Sequence, residues 1–437
     1  MSEKIIFGSA KEIITPAIPM SPMGFGCTFG KPFKNVHDDL YVRALMLRDE
    51  DGEAVVFVAF DLLFHDQTLA TELRKYVSEK YEVPTDNLHI SFTHTHFGPA
   101  VKGYDFTHYK EEYEKFITDR ARYAIDRAFL STFEGKLKYS TVSGDWNISR
   151  RLMQDGKMRC RPNPAGEYDG NLYLFRLEDE EGAIRALAVN FACHPSNLDD
   201  KKYHYSISSE YPGRLCQKIE SELYGCNAIF FQGFGADAKL RRAGSTPPSF
   251  RGITPEECDE VASSMAHRIK NKIISNDWKT LPVKLGSKLF TLSLPLEAYP
   301  KEKYEEFLNF YTNVRYSDMM IRNCKRVLDN FENEPDALAL DCGVVRINPD
   351  FYILSMGGEP GINIATVLRQ AIPDKTLVCF GYSSSVAYVP SDKMILEGGY
   401  EAEDSVSEYR LKGRIKLGVD KIFSDGFRCA IDEINKK

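Results

Sequence analysis

The chain has 437 residues, of which 43% are hydrophobic and 27% charged, so it can bury a large core without disulfides. Its net charge of -7 and isoelectric point near 5.8 argue against nucleic acid as a partner, because phosphate binding requires a basic surface. The N-terminus lacks a secretory signal pattern, and no apolar run approaches the ~18 residues of a membrane span. We therefore expect a cytoplasmic protein that acts on a small molecule, with its ten scattered cysteines reduced. The sequence leaves the oligomeric state open.

Strands and helices alternate along the chain, without an internal repeat or a low-complexity linker. Apolar β-branched runs indicate strands and 3.6-residue periodicity indicates helices. In chain order, the pattern predicts strand 54–62, helix 66–82, strand 87–92, helix 108–130, strand 186–192, helix 211–224, strand 227–231, helix 255–275 capped by Thr254, a strand near 288–294, a helical region 300–330, strands near 342–347 and 352–356, a helix after Pro360, strand 376–380 and a final helix from about Ser405. This alternation indicates an α/β domain with a largely buried central sheet.

Two histidines follow the predicted strand 87–92, in the segment Thr93-His94-Thr95-His96-Phe97-Gly98-Pro99. Side chains at positions i and i+2 of a strand point to the same face. Histidine is also the commonest metal ligand in proteins. The segment therefore favours a metal or catalytic site, with a hydrogen-bonded structural histidine as the alternative.

Two more predicted strands end in potential ligands. His194 follows strand 186–192, and Glu359 follows strand 352–356, just before Pro360 at the predicted start of a helix. Taken singly, His194 can cap a carbonyl and Glu359 can simply favour a helix dipole. Taken together with His94, they match a catalytic zinc site, which uses three protein ligands and keeps a position for water. Two histidines and one glutamate also suit iron or manganese.

These segments and several others occur in an order that resembles the catalytic domain of the neutral/alkaline ceramidase family, over nearly the whole chain. The matching segments are Gly8-Ser9-Ala10, Met23-Gly24-Phe25, His37-Asp38-Asp39-Leu40, the segment of His94, Asn190 to Ser196, Ser208 to Arg214, Met356 to Gly361, Tyr388 to Asp392 and Gly399-Tyr400-Glu401. The resemblance implies an α/β fold with mixed central β-sheets flanked by helices, in a single catalytic domain over 1–437. Family ceramidases carry an additional C-terminal immunoglobulin-like domain, which we do not expect here.

The resemblance also implies roles for individual residues. The family's zinc ligands correspond to His94, His194, Glu359 and Tyr388, although the segment 381–390 is one residue shorter than the family pattern. Tyr388 is alternatively a core residue, since tyrosine is an unusual zinc ligand. The family's second histidine binds the substrate head group, which implies that role for His96. The pocket-lining positions correspond to Gly24, Arg150 and Tyr400.

One position departs from the family pattern. The family's serine, which takes part in amide cleavage, is replaced by Lys239 in the segment Gly235-Ala236-Asp237-Ala238-Lys239. Asp237 can orient a ligand or a water molecule, and Lys239 can neutralise an oxyanion or bind an anionic group. The cluster of Lys239, Arg241 and Arg242 suggests a polar or anionic substrate, with a surface lysine as the alternative.

The leading hypothesis is a zinc-dependent hydrolase that cleaves an amide or related acyl linkage with metal-activated water. In this hypothesis His96 or Asp237 transfers the proton, and Tyr388 or a cation stabilises the oxyanion. Two alternatives stay open. One is a metal-assisted carbohydrate-active enzyme (a glycosidase, lyase or isomerase) that uses carboxylates such as Asp237, Glu359 and Glu401. The other is a non-catalytic relative that binds a metal or ligand.

Overall fold

The structure is a computed structural model that describes residues 2–24, 31–101, 110–244, 249–312, 317–384 and 387–436. Its strands, in chain order, are β1 (Lys4–Ile13), β2 (Pro22–Met23), β3 (Asn35–Val36), β4 (Tyr41–Arg48), β5 (Ala54–Phe60), β6 (Leu88–Phe92), β7 (Gly98–Pro99), β8 (Thr132–Ser143), β9 (Asn147–Gln154), β10 (Lys157–Asn163), β11 (Asn171–Asp179), β12 (Ile184–Phe191), β13 (Ser206–Ile207), β14 (Asn227–Gln232), β15 (Ala238–Leu240), β16 (Lys279–Thr280), β17 (Gly286–Ala298), β18 (Ala337–Asn348), β19 (Phe351–Met356), β20 (Glu359–Pro360), β21 (Thr376–Phe380), β22 (Tyr388–Val389) and β23 (Gly413–Ile415). The α-helices are α1 (Gln67–Tyr81), α2 (Lys110–Leu130), α3 (Asp200–Tyr203), α4 (Glu210–Glu222), α5 (Pro255–Ser275), α6 (Lys301–Tyr311), α7 (Ser317–Asp329), α8 (Ile362–Ala371), α9 (Asp392–Glu397) and α10 (Val419–Asn435).

Two large sheets form the centre of the molecule. Within the described ranges, the first has nine strands, in the order β14-β12-β11-β8-β1-β4-β5-β6 with β16 paired to β8, and the second has five, in the order β21-β19-β18-β17-β23. The pairs β12/β14, β5/β6 and β19/β21 are parallel, whereas neighbours such as β1/β4 and β17/β18 are antiparallel. The predicted fold class, mixed sheets flanked by helices, is confirmed.

The two sheets stack face to face, with helices on both outer surfaces. Along β5, Val55 and Phe57 point into the core between the sheets, where they meet Ile353 and Phe380 of the second sheet. Alternate residues of β5, such as Val56, face the core under α1 and α2. Helices α4 and α5 cover another part of the first sheet, and α8 and α10 cover the second. Successive side chains of a strand face opposite sides of its sheet, and each side is covered by another layer. The order of layers is therefore helix, sheet, sheet, helix.

Several predicted elements agree closely with the structure. Helix α1 matches the predicted bounds within one residue at each end, and α5 begins after Thr254 as expected. Thr254 forms a full capping box: its side chain accepts from the backbone N–H of Glu257, whose carboxylate accepts in return from the N–H of Thr254. The start of the predicted helix 108–130 lies partly outside the described residues, and α2 is described from Lys110.

Two predicted helix starts are wrong. Pro360 is not the first residue of a helix, because Glu359 and Pro360 form β20 and α8 begins only at Ile362. The last helix does not begin near Ser405. Residues 404–407 form a short 3-10 helix, β23 then pairs with β17, and α10 starts at Val419 after Gly418 with a left-handed φ of 104°. Pairing of Gly413–Ile415 with the long strand β17 outcompetes local helix propensity.

No α-helix in the described ranges is long and apolar enough to cross a bilayer. The nine described cysteines are free, seven of them buried, and Cys27 lies outside the described residues. The cytoplasmic location stays a prediction.

Candidate metal centre

The fold brings the ends of β6, β12 and β19 together, although they are far apart in the sequence. The first sheet is curved, so that its edge strands β6 and β14 lie beside each other. Backbone hydrogen bonds then join the loops that follow: Phe92 donates to the carbonyl of Tyr382, and His194 donates to that of Ala238. His94, His194 and Glu359 thereby meet in one place, with at most 3% of each side chain exposed.

His94 directs one ring nitrogen towards Glu359. Its Nδ1–H donates to the carbonyl oxygen of Leu63 at 2.8 Å, so Nε2 is the nitrogen left to bind a metal ion. That Nε2 lies 3.3 Å from Oε2 of Glu359. The backbone of His94 has a left-handed φ of 64°, which is uncommon for a residue other than glycine and indicates that the position is constrained by its surroundings.

His96 fixes the orientation of His194 through a chain of hydrogen bonds. The Nδ1–H of His96 donates to the carbonyl of Gly24 at 2.7 Å, so that its Nε2 is an acceptor. This Nε2 lies 2.8 Å from Nε2 of His194, which must therefore be the donor. Nδ1 of His194 is left unprotonated and lies 3.7 Å from Oε2 of Glu359. Burial, together with neighbouring His94, lowers the pKa of both His96 and His194 and favours these neutral rings.

Three potential ligand atoms thus converge in one place. Nε2 of His94, Nδ1 of His194 and Oε2 of Glu359 are all buried, and none has a hydrogen-bond partner among the described residues. Unpaired buried polar atoms are costly, and two lone pairs next to a carboxylate repel unless a cation lies between them. Donors about 2.0–2.1 Å from a tetrahedral zinc ion lie about 3.4 Å apart, which is close to the spacing observed here. The residues therefore fit a divalent metal ion.

The three histidines offer a second, overlapping combination. One nitrogen from each of His94, His96 and His194 can be chosen so that all lie within 4.8 Å of one another, so this cluster can hold a metal ion. The hydrogen bonds favour the set with Glu359, because both ring nitrogens of His96 are already engaged by Gly24 and His194.

Tyr388 lies directly beside Glu359. Strands β20 and β22 are parallel, with Glu359 and Tyr388 in register, and the Tyr388 ring stacks on that of His194 at 6.4 Å. Arg150 donates from Nη2 to the Tyr388 hydroxyl oxygen at 3.1 Å and from Nε to Glu401 at 2.8 Å. Burial raises the pKa of the Tyr388 hydroxyl, and Arg150 opposes that shift. An arginine that donates to the phenol oxygen leaves the hydroxyl able to act as a ligand or a proton donor.

Gly24, Tyr400 and Lys239 lie around the same centre. Gly24 has a φ of 138°, and a Cβ there would come within 2.6 Å of the His96 backbone, so only glycine allows this contact. The ring of Tyr400 contacts that of Tyr388 at 5.3 Å, and Arg150 lies over the Tyr400 ring. Lys239 contributes to the lowered pKa of His96 and His194, which places its ammonium group near both rings.

Asp237 and Arg242 are placed differently from the other predicted site residues. Oδ1 of Asp237 accepts from the backbone N–H of Ile362 at 2.9 Å, so this buried carboxylate ties the loop before β15 to the start of α8. Burial raises its pKa to about 6. The exposed Arg242 forms ion pairs with Glu257 and Glu260 of α5. Asp237 thus supports the site from behind, and the structure does not bring Arg242 into it.

Sequence reasoning missed three residues at the centre. Tyr409 donates its hydroxyl to Oε1 of Glu359. Tyr382 has a left-handed φ of 59°, its ring lies 4.6 Å from that of His94, and its buried hydroxyl has no partner among the described residues. Glu408 accepts from the Tyr400 hydroxyl at 3.0 Å, and burial raises its pKa to about 7. Tyr409 and Glu408 gave no signal, because they lie in the predicted final helix from about Ser405. Tyr382 lies in the segment 381–390, where the departure from the family pattern concerned only Tyr388.

The site reaches the surface on one side, which we call the cleft. The residues on this side, His96, Lys239, Tyr400, Glu408 and Tyr409, each keep part of their surface exposed. A small molecule can therefore approach the metal centre from this side.

Comparison with known proteins agrees with this geometry. The family model described as neutral/alkaline non-lysosomal ceramidase, N-terminal, matches residues 7–277. The chain belongs to this family. It is 22% identical over 284 residues to neutral ceramidase A of Dictyostelium discoideum, and 22% identical over 269 residues to neutral ceramidase of Drosophila pseudoobscura pseudoobscura. These matches cover 59% and 58% of this chain, but only 38% of each relative.

The fold is shared with a solved member of the family. Neutral ceramidase from Pseudomonas aeruginosa superposes with a TM-score of 0.72 at 16% identity, over 99% of this chain and 74% of that chain. A structure described as ceramidase complexed with C2 superposes equally well. The resemblance inferred from the sequence is therefore confirmed for family and fold, and membership of the family supports a hydrolase.

Proposed function

We propose that the protein is a zinc-dependent hydrolase that cleaves an amide or related acyl linkage in a small molecule. The observation that carries the proposal is the convergence of three buried, unpartnered atoms from His94, His194 and Glu359. Tyr388, in register with Glu359, is the proposed fourth ligand. When bound, zinc lowers the pKa of a coordinated water to about 7 and polarises a carbonyl. Family membership supports this reaction class.

The chain's own residues orient and polarise the site. His96 donates to Gly24 and accepts from His194, which keeps His194 in the tautomer that a metal requires. The half-exposed ring of His96 also faces the cleft, where it can contact a substrate. Arg150, paired with Glu401, donates to Tyr388 and stabilises negative charge on the phenol oxygen.

Proton transfer falls to Glu408 rather than to Asp237 or His96. Oδ1 of Asp237 accepts from the N–H of Ile362, and both ring nitrogens of His96 have partners. Glu408 lies in the cleft beside Tyr400, and its raised pKa of about 7 suits a group that gains and releases a proton near neutral pH. The proposal assigns no role to the family's serine, because we place Lys239 at that position.

The carbohydrate-active alternative finds little support in the carboxylates. A glycosidase needs two carboxyl groups facing one bond. Both oxygens of Glu401 are engaged, one by Arg150 and the other by Arg151 at 2.5 Å, and Asp237 accepts from the backbone of α8. The non-catalytic alternative predicts bound metal without turnover, and the following experiment separates it from a hydrolase.

The test combines metal content with product analysis. We expect the purified protein to contain about one zinc ion per chain by elemental analysis, and to release a free amine and a free carboxylate from N-acyl amides. His94→Ala and Glu359→Gln should lose both metal and activity. His267→Ala, which removes an exposed imidazole on α5, is the matched control and should change neither. Unchanged metal content in both site variants would refute the metal site, and zinc without any amine release would favour a binding protein.

A further inference from the structure

Lys239 projects into the cleft from a short strand. Strand β15 pairs with β9, with Lys239 opposite Ile148. Its neighbours Ala238 and Leu240 are fully buried on one face, so the alternation of a strand directs Lys239 to the other face, where it is half-buried. Burial lowers the pKa of its ammonium group, Cys160 opposes that shift, and Arg150 adds to it. The carbonyl of the preceding residue, Ala238, accepts from the backbone N–H of His194, and the Lys239 side chain is partly exposed, so Lys239 lies on the open side of the metal centre.

The ammonium group of Lys239 has no anionic partner. Among the described residues, no carboxylate lies within ion-pair distance of it and no acceptor takes its hydrogen bonds, whereas Lys138 in the same protein pairs with Glu178. The ammonium group lies over the ring of Phe250, and its Nζ is 5.6 Å from the ring centroid. Arg150, the neighbouring cation, is already neutralised by Glu401. A cation surrounded by protein and left without a counter-charge is costly, so this position favours an anionic ligand.

The number and type of donors limit which anion fits. Lys239 offers a single point charge, and the neighbouring guanidinium of Arg150 is committed to Glu401 and Tyr388. Phosphate is usually bound by several donors, an arginine fork or a helix N-terminus, whereas one lysine suffices for a monoanion such as a carboxylate. Lys239 follows Ala238, whose carbonyl accepts from the N–H of His194, so an anion bound to the ammonium group lies near the metal centre.

We propose that Lys239 binds a carboxylate of the substrate, so that the protein acts on N-acyl amino acids and related anionic amides rather than on neutral lipids. This inference rests on the proposed hydrolase function and narrows its substrate class. In it, Lys239 determines specificity: the ammonium holds the carboxylate of the amine portion, and the amide carbonyl of the same molecule faces the metal centre.

The test uses two probes that differ in this one group. N-hexanoylglycine carries a carboxylate where N-hexanoylethanolamine carries a hydroxymethyl group, and the amide and acyl chain are the same. For the wild type we expect kcat/KM to favour the glycine compound. Lys239→Gln should reduce that preference by about 10- to 100-fold, the range expected for one lost charge-assisted hydrogen bond, because kcat/KM falls more for the glycine compound than for the ethanolamine compound. Lys239→Arg should retain much of the preference.

Arg242→Gln is the matched control. It removes a positive charge three residues away that is paired with Glu257 and Glu260 outside the cleft, so it should leave the preference unchanged. An equal loss for both probes in Lys239→Gln, or an unchanged preference, would overturn the inference and leave the hydrolase function intact. Metal content should be equal in all variants.

Binding measured without turnover separates this inference from the hydrolase proposal. After chelator treatment, calorimetric titration of the wild type with N-hexanoylglycine should give tighter binding than with N-hexanoylethanolamine, and Lys239→Gln should abolish the difference. If the wild type hydrolyses neither probe but shows this Lys239-dependent difference, the hydrolase function fails and anion binding stands. If the chelator-treated wild type binds both probes equally, anion recognition by Lys239 is refuted, whatever the activity.

Discussion

Replacing Tyr409 with phenylalanine removes one hydroxyl from the site and leaves the aromatic ring in place. That hydroxyl donates to Oε1 of Glu359, whose Oε2 faces the two histidine nitrogens. Burial raises the pKa of Glu359. His94 and, to a smaller extent, the hydrogen bond from Tyr409 lower it, and the pKa is lowered overall. The hydroxyl therefore stabilises the ionised carboxylate and fixes which of its oxygens points at the metal position.

The expected cost follows from the chemistry of that contact. A hydrogen bond to a buried charged group contributes about 1.5–3 kcal/mol, and loss of such a supporting contact at a metal site typically weakens metal binding by about 10- to 100-fold. We expect Tyr409→Phe to raise the zinc dissociation constant by this factor, measured by competition with a chromogenic chelator. Because the same bond stabilises the buried Glu359 carboxylate in the metal-free protein, Tyr409→Phe should also lower its thermal stability, and zinc affinity is measured well below the unfolding temperature.

Tyr400→Phe is the matched control for this prediction. Tyr400 lies in the same cleft and is a tyrosine of the same segment, but its hydroxyl donates to Glu408 and not to Glu359. Zinc affinity of this variant should stay within about threefold of the wild type, well below the loss expected for a direct support of a ligand. If Tyr409→Phe binds zinc as tightly as the wild type, or if both variants lose affinity equally, Glu359 is not the carboxylate ligand that the geometry indicates.

Three further predictions concern other parts of the framework. Burial lowers the pKa of His89 from 6.5 to about 3. Between these pH values His89 takes up a proton in the unfolded state but not in the folded state, so the free energy of unfolding falls by up to about 1.4 kcal/mol per pH unit as the pH drops from 6.5 towards 3. Above pH 6.5 this loss of stability is absent. Denaturant unfolding between pH 7.5 and 4.5 should show a shallower decline for His89→Gln than for the wild type, and parallel curves would contradict this. Gly24→Ala should shift His96 and reduce activity by at least about tenfold, because the added Cβ would lie 2.5 Å from the His96 backbone. The circular dichroism spectrum should stay unchanged. Full activity of the variant would show that the surrounding backbone relaxes to accept the Cβ. Asp237→Ala should lower the unfolding free energy by about 1 kcal/mol, since it removes the acceptor for the Ile362 N–H at the start of α8, and Asp237→Asn should retain most of it.

The strands and helices with strong local patterns could be predicted from the sequence. The buried apolar run of β5 and the helical periodicity of α1 and α5 predict the ends of these elements to within one helical turn. The Thr254 capping box marks the start of α5. Polar residues at three strand ends also pointed correctly to one meeting place. Local pattern alone could not show that the first sheet curves until β6 and β14 lie together, since this depends on contacts between residues more than 130 positions apart.

The second group of site residues depended on tertiary structure. Tyr409 belongs to a segment with a helix-like pattern, but residues 404–407 form only a short 3-10 helix, and turns before β23 bring Tyr409 to Glu359. Nothing local indicates such pairing, because the partner strand is more than 110 residues away. Arg242 illustrates the opposite error: its closeness in sequence to Lys239 suggested a shared role, but successive residues diverge once β15 ends, and Arg242 reaches α5 instead.

Tautomer control explains why the centre needs residues that never touch the metal position. A histidine binds a cation only through an unprotonated nitrogen, and each ring here is set by a carbonyl: Leu63 for His94, and Gly24, through His96, for His194. Both carbonyls lie on loops. His94 itself has a left-handed backbone conformation, which is unfavourable for this residue type and is maintained by the surrounding hydrogen bonds. The stacked sheets supply that constraint, since the strands before both histidines are buried on both faces. Rigid sheet cores therefore hold the histidines of the centre, while the partly exposed residues beside it, Lys239 and Glu408 among them, do not take part in fixing that arrangement.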